Sequence, residues 1–330
     1  MNPLLKADFF MFNNMASRKD IYSIGFYNVE NLFDIVDNPN TADDEYLPQS
    51  RRRWTRKRYQ QKLKKLSGVI AQLGTNLSKY APAIVGLVEV ENSKVVHDLI
   101  THKNLADKNY AYVHYDSPDE RGIDVALIYN RKHFEVYSSK NYKLDLLDAE
   151  GNTDYTRDIL RVSGNLNGEL VHVIVNHWPS RREGLEFTNT LRIKAAELVH
   201  QIINEIKEDV DNPKIIIMGD FNDDPTSDSV KKHLVTNEFF NPMESLFEKG
   251  LGTLTYDGKW NLFDQIIFSK NFLTSAPEEH SFMFAEVFNK DWLQVFKGKL
   301  KGSPFRTYIG PWYKGGFSDH FPVYAFLKKN

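Results

Sequence analysis

Residues 214–225 read KIIIMGDFNDDP. An unbroken apolar run with no polar alternation, Ile215 to Met218, is the signature of a short strand covered on both faces of its sheet. The composition then changes at once. Gly219 permits a close backbone approach at the strand end, and Asp220 and Asn222 lie two apart, so in extended chain both point to one side. Pro225, between Asp224 and Thr226, opens a turn. A buried strand that ends abruptly in carboxylates and a carboxamide either closes an Asx turn or delivers polar groups to a sheet edge.

The same pattern recurs outward along the chain. Residues 21–28, 83–89, 262–268 and 321–327 read as further strands, and 110–115 and 123–129 as two more. Residues 156–166 and 169–176 form a hairpin across NLNG, whose Asn-Gly pair suits a tight turn. Tyr59, Leu63, Leu66, Ile70 and Leu73 recur at steps of three and four, which predicts an amphipathic helix. A second helix is predicted over 188–210 with Leu191, Ala195, Leu198, Ile202 and Ile206 as its apolar stripe, and a short one from Ser93, with that serine as its cap. Helices interleaved with buried and alternating strands imply an α/β or α+β fold with helix-covered sheets.

At 330 residues the chain can build one large core or two modest ones. No Pro/Ser/Gly-rich linker divides it, so one catalytic-sized domain is expected over 21–330, with 1–20 a flexible extension. The 42 basic and 44 acidic side chains leave a net charge of −2, which speaks against a tight nonspecific grip on long nucleic acid but not against a small or transiently bound anion. There is no cysteine, so disulfides, thiolate zinc sites and thiol nucleophiles are excluded. No apolar run approaches the ~18 residues of a membrane span, and Lys6 and Asp8 interrupt the only apolar patch near the N-terminus, so a cytoplasmic location is favoured over export.

Polar groups gather at several predicted strand ends: Asn28 and Glu30 in FYNVEN, Glu89 in LVEVEN, His177 in VNHWPS, Asp220 and Asn222 in GDFND, and Asp319 and His320 in FSDHFP. Loops held by a rigid sheet can bring such groups to one point. A carboxylate beside a carboxamide can hold a water through one and a phosphoryl oxygen through the other. Oxygen donors without cysteine or a dense histidine cluster suit Mg²⁺, or Mn²⁺, better than zinc. An Asp-His dyad is equipment for general base work near neutral pH.

These residues, in this order, resemble the endonuclease/exonuclease/phosphatase superfamily. The matching pieces are YNVENLF at 27–33, GLVEVEN at 86–92, RGIDVALIY at 121–129, VNHWPS at 175–180, GDFNDDP at 219–225, LFDQIIF at 262–268 and SDHFPV at 318–323. The resemblance implies an α+β four-layer sandwich: two packed mixed sheets flanked by helices, with the site at one edge. It implies that Glu89 and Asp319 hold a metal, that Asn28 helps hold the metal or the phosphate, that Asp220 prepares the attacking water, and that Asn222 contacts a phosphoryl oxygen. It further implies that His320 is the catalytic histidine, oriented by Asp264, and that His177, as an imidazolium, serves in acid/base or phosphate-stabilising work, oriented by Asp124. A histidine at 177 departs from the abasic-site branch, which places a tyrosine-type group there.

Arg181 and Arg182 follow His177 directly and either fork onto a phosphate or face bulk water. Arg121 and Arg192 are further candidates for that role, and Trp178 either stacks on an organic moiety or packs beneath its loop. Residues 308–320 form another expected rim, with Gly315 and Gly316 letting it bend. Arg51 to Lys65 carries nine Lys or Arg and no acid, a face that is either solvated or steers substrate. The expected function is metal-dependent hydrolysis of a phosphoester, in a small molecule or nucleic acid, by a monomer without a protein partner. A phosphodiesterase or endonuclease comes first, and a phosphomonoesterase or a phospholipid or sugar-phosphate hydrolase second. A noncatalytic interaction module on the same scaffold is opposed by the full set of polar groups.

Overall fold

The computed structural model describes residues 18–182, 184–256 and 258–330. Most of the expected N-terminal extension lies outside these residues. Arg18, the first of them, is already fastened, its guanidinium donating to the carbonyls of Leu77 (3.1 Å) and Asn76 (3.2 Å).

Two six-stranded mixed sheets carry the fold. The first is built from β1 (Ile21–Leu32), β2 (Ile84–Val90), β3 (Tyr110–His114), β4 (Asp124–Asn130), β11 (His280–Val287) and β12 (Val323–Lys329), in the order β11-β12-β1-β2-β4-β3. The second is built from β5 (Phe134–Tyr142), β6 (Ile159–Leu166), β7 (Glu169–His177), β8 (Lys214–Asp220), β9 (Phe239–Phe240) and β10 (Asp264–Ser269), in the order β9-β10-β8-β7-β6-β5. Each sheet has one parallel pair near its centre, β1 with β2 and β7 with β8, flanked by antiparallel partners.

Alternation along the second sheet explains the layering. Val173, Val175, Ile216, Met218, Ile266 and Phe268 join the core shared with the first sheet. Ile174, Ile215, Ile217 and Ile267 face the other way, onto Leu191, Ala195, Val199, Ile202 and Ile206. Those residues belong to α3 (Leu185–Asp209), which covers the sheet's outer face. Leu198, expected in that stripe, is only partly buried, and Ala196 and Ile203 are buried instead. Outside the first sheet lie α1 (Arg56–Ile70), with Leu63, Leu66 and Ile70 buried, and α2 (Ser93–Ile100). Asn92 rather than Ser93 caps α2, its side chain accepting from Val95 N at 3.0 Å.

Gly86 lies in the packing between the two sheets: a Cβ there would stand 2.6 Å from Met218 Sδ on the second sheet and 3.1 Å from the Phe26 ring on its own. Gly219 has a similar role within the second sheet, where a Cβ would meet Asn176 O at 2.6 Å. The close approach at Gly219 is thus to the neighbouring strand.

Candidate active site

Register brings the polar strand ends together. Asp220, the last residue of β8, stands opposite His177 on β7 and Asp264 on β10. Across the sandwich, the β1–β2 and β2–β4 ladders shift register between Val88 and Val90, and Glu89 takes φ +63°. Such a bulge re-aims a side chain at the strand end, and the left-handed conformation is rare for a non-glycine residue away from functional sites. Asn222 also has positive φ (50°), so β8 does not run on in extended form to it. Its N–H closes a turn onto Asp220 Oδ1 at 3.0 Å. The Asx turn and the polar cluster are therefore one structure.

Asn28 is the bridge between the sheets. Its Nδ2 donates to Asp220 Oδ2 (3.0 Å) and Glu89 Oε1 (3.3 Å), while its Oδ1 accepts from Glu30 N (2.9 Å). Glu89 Oε2 accepts from Asn31 N at 2.8 Å. Burial acts to raise the Glu89 carboxyl, but the cations of Arg121 and His320 and these hydrogen bonds carry it below the usual carboxylate range. Burial pushes Asp220 up to about 6, against the pull of His320 and the hydrogen bonds from Asn222 and Asn28.

The two histidines differ in charge. His320 Nδ1 lies 2.7 Å from Asp264 Oδ2, and its Nε2 is 3.9 Å from Asp220 Oδ2. Burial would lower this imidazole, but Asp264 and Asp220 override it and hold it well above the ordinary histidine range, as an imidazolium. His177 Nε2 stands 4.0 Å from Glu89 Oε1 and 3.9 Å from Asp220 Oδ2. Burial, with Arg157, Arg121 and His320 nearby, keeps His177 well below the ordinary range. The expected imidazolium at 177 is thus a neutral ring.

Several expected roles are reassigned by their partners. Asp124 does not orient His177: it is taken by His114 Nε2 (3.1 Å) and by the N–H (2.8 Å) and hydroxyl (2.5 Å) of Ser117, whereas His177 Nδ1 has no hydrogen-bond partner. Trp178 is fully buried, donates to Asn176 Oδ1 (3.1 Å) and packs edge-on against Phe221, so it stacks on no ligand. Arg192 is buried with its Nε 2.6 Å from Asp223 Oδ2. Arg181 binds Asp223 Oδ1 (2.7 Å) and the Asn222 carbonyl (2.8 Å), which clamps the loop after β8. Arg182 is exposed, and Arg121 is held loosely, 3.9 Å from Asp119. Asp319, expected at a metal, is paired with Arg306 at 2.7 Å. Asn222 Nδ2 donates to the Trp178 carbonyl (2.9 Å), leaving its second amide hydrogen free to serve a bound group.

Sequence reading missed the cations beneath the site. Arg157, buried, donates to Asp119 Oδ2 (3.1 Å) and the Trp178 carbonyl (2.8 Å). Lys62 is buried on α1, 3.5 Å from Glu30 Oε2 and bonded to Thr307 Oγ1 (2.6 Å) and the Phe317 carbonyl (2.7 Å). It belongs to the basic face of α1, part of which fastens the 305–317 rim: Arg58 lies over Tyr313 and Lys65 over Phe317. That rim is fixed by its glycines, since a Cβ on Gly316 would collide with the carbonyls of Phe305 and Arg306.

Of the three carboxylates here, the ligand atoms of Asp220 and Asp264 lie with that of His320 within 4.8 Å of one another, and Glu89 Oε1 stands beside them, 4.0 Å from His177 Nε2. Carboxylate oxygens gathered at one sheet edge are hard donors of the kind that hold a divalent ion. Of the three, Glu89 is the one that reaches solvent, with its side chain 14% exposed.

The endonuclease/exonuclease/phosphatase family model matches residues 23–329. Similar solved structures include a humanized D. rerio TDP2, with 15% identity, 94% of this chain and 100% of that chain covered, and a TM-score of 0.57. A mannosyl-6-phosphatase of Bacteroides thetaiotaomicron shares 17% identity over 93% of this chain and 99% of its own (TM-score 0.56). The catalytic domain of human Nocturnin, with a bound sulfate anion, shares 15% identity over 94% of each chain (TM-score 0.55). No curated protein sequence matches at a significant level. No helix of the described residues is long and apolar enough to cross a membrane.

Proposed function

The chain belongs to the endonuclease/exonuclease/phosphatase family, and from that premise we propose that residues 21–330 act as one metal-dependent phosphodiesterase whose site is the cluster around Asp220 and His320. The observation that carries this reading is the bridge made by Asn28, which ties the acid opposite His177 to the bulged Glu89 on the other sheet. Glu89, steadied by Asn28 and Asn31, would hold the ion, with Mg²⁺ the best match for its oxygen donors. When bound, the ion neutralises charge developing on the phosphoryl oxygens.

The chain's own residues supply the rest. Asp220, held on both oxygens by Asn28 and Asn222, takes the proton of the attacking water. His320, kept cationic by Asp264, donates to the phosphoryl group, and as the water oxygen bonds to phosphorus and the phosphorus–oxygen bond to the leaving group breaks, it gives its proton to the leaving oxygen. His177, neutral, gives an Nε2–H hydrogen bond within the same space, and Asn222 its free amide hydrogen.

A diester is favoured over a monoester because two of the four expected arginines, Arg181 and Arg192, are already engaged, which leaves Arg121 and Arg182 as the uncommitted ones. Arg181 pairs with Asp223 and lies 3.7 Å from Asp224, Arg192 pairs with Asp223, and Arg157, which the sequence did not single out, binds Asp119. A terminal phosphate dianion would need such cations free. Among the similar structures, a D. rerio TDP2 was solved with a single-strand DNA product, which is consistent with a polymer diester. The mannosyl-6-phosphatase keeps the sugar-phosphate reading as the alternative. A hydrolysis panel of single- and double-stranded DNA, RNA, bis-p-nitrophenyl phosphate, p-nitrophenyl phosphate, inositol phosphates and sphingomyelin separates them. Turnover of at least one diester is expected. Turnover of monoesters alone would refute the diester assignment.

A further inference from the structure

Glu30 and Asp319 are two carboxylates at the edge of the candidate site, and one guanidinium joins them. Arg306 Nε lies 3.4 Å from Glu30 Oε1, and a terminal nitrogen of the same group lies 2.7 Å from Asp319 Oδ2. The other Glu30 oxygen accepts from Thr307 N at 2.7 Å and faces Lys62 Nζ at 3.5 Å. Two acids and two bases thus form a neutral quartet. Three of its members come from segments far apart in the chain: β1, α1 and the rim before β12. Lys62 and Glu30 are buried, whereas the Arg306 side chain is 45% exposed. The planar fork of a guanidinium can satisfy two carboxylates at once, as a bridging divalent ion would.

Resting on the metal-dependent reading above, we infer that Arg306 is a built-in cation occupying the place between Glu30 and Asp319. This chain then binds a single divalent ion, at Glu89. Neither Glu30 nor Asp319 is available as a ligand while the guanidinium sits between them, and Lys62 keeps Glu30 turned toward the rim. Removing the guanidinium leaves Glu30 Oε1 and the partly exposed Asp319 Oδ2 as a hard, oxygen-only pair open to water. A second divalent ion accepts such a pair with waters completing its shell. Because Arg306 reaches solvent, its replacement by Gln or Met leaves no large cavity.

The test is direct counting of bound Mn²⁺ by electron paramagnetic resonance and equilibrium dialysis on the intact protein. Wild type is expected to bind one ion per chain, Glu89→Gln to lose it, and Arg306→Gln and Arg306→Met to bind two. Two ions in wild type, or one in both folded Arg306 variants, would overturn the inference while leaving the metal-dependent reading intact. No bound ion in wild type would defeat that reading and the inference with it. Should both Arg306 variants fail to fold, the wild-type count alone still decides between one site and two.

Discussion

Replacing Asp264 with Asn probes the device that sets the charge of His320. The carboxylate is fully buried, its Oδ2 lies 2.7 Å from His320 Nδ1, and its Oδ1 has no hydrogen-bond partner. Its one side-chain hydrogen bond is therefore to the imidazole, with the Asp220 carboxylate also close by. A hydrogen bond between charged groups contributes about 1.5–3 kcal/mol, which converts to roughly 10- to 150-fold in rate if it is needed to hold the imidazolium in the transition state. An amide at 264 can also stabilise the wrong tautomer, and losses from that cause reach about 10⁴-fold in comparable Asp-His pairs. Asp264→Asn should thus lower kcat/KM on a chromogenic diester by about 10- to 10⁴-fold. Circular dichroism and thermal melting should show the fold retained. The sign of the pH effect follows from the pairing: Asp264 holds His320 above the ordinary range, so its loss lets the ring deprotonate at lower pH. The His320 titration, followed by NMR of the imidazole, should move acidward. Activity within about threefold of wild type in a folded variant, or an unmoved titration, would refute the reasoning.

Two other expectations concern stability. His172, buried and bonded through Nδ1 to the Ser163 hydroxyl (2.7 Å), is lowered by burial, with Arg161 adding to it, from 6.5 to about 4. Between those values the unfolded chain binds a proton that the native one refuses, so stability is present above pH 6.5 and falls as pH drops toward about 4. By pH 5 the loss is about 2 kcal/mol, and urea unfolding of His172→Gln should lack it; parallel pH curves would dismiss this account. Gly86→Ala crowds Met218 and Phe26 and should cost about 1–3 kcal/mol, with Met218→Ala recovering part of it in a double-mutant cycle. An additive cycle would show that the two sheets do not meet as described.

Much of the site was legible because its groups sit at strand ends. An apolar run that stops at Gly219-Asp220 marks both the strand and the residue it delivers, and the same held at Glu89 and His177, whereas β1 runs past Asn28 to Leu32. What local pattern could not supply is pairing across the fold. Lys62 reads as one more cation of a basic helix, and only the packing of the 305–317 rim onto α1 buries it against Glu30. Arg181 and Arg192 look like a phosphate rim until Asp223, from a loop more than thirty residues away, claims both. Asp124 looked free to serve His177, but His114, its neighbour across the β3–β4 ladder, is closer to hand. β5 was missed for a different reason. It lies at a sheet edge with several residues in solvent, so FEVYSSKNY carries no continuous apolar signal.

The most direct test of the central claim is Mg²⁺-dependent hydrolysis of bis-p-nitrophenyl phosphate by wild type and Asp220→Asn side by side. Wild-type turnover should vanish on thorough EDTA treatment and return with Mg²⁺, and the folded Asp220→Asn protein should be slower by at least about 100-fold. Turnover that survives metal removal, or an Asp220→Asn variant as fast as wild type, would contradict the account.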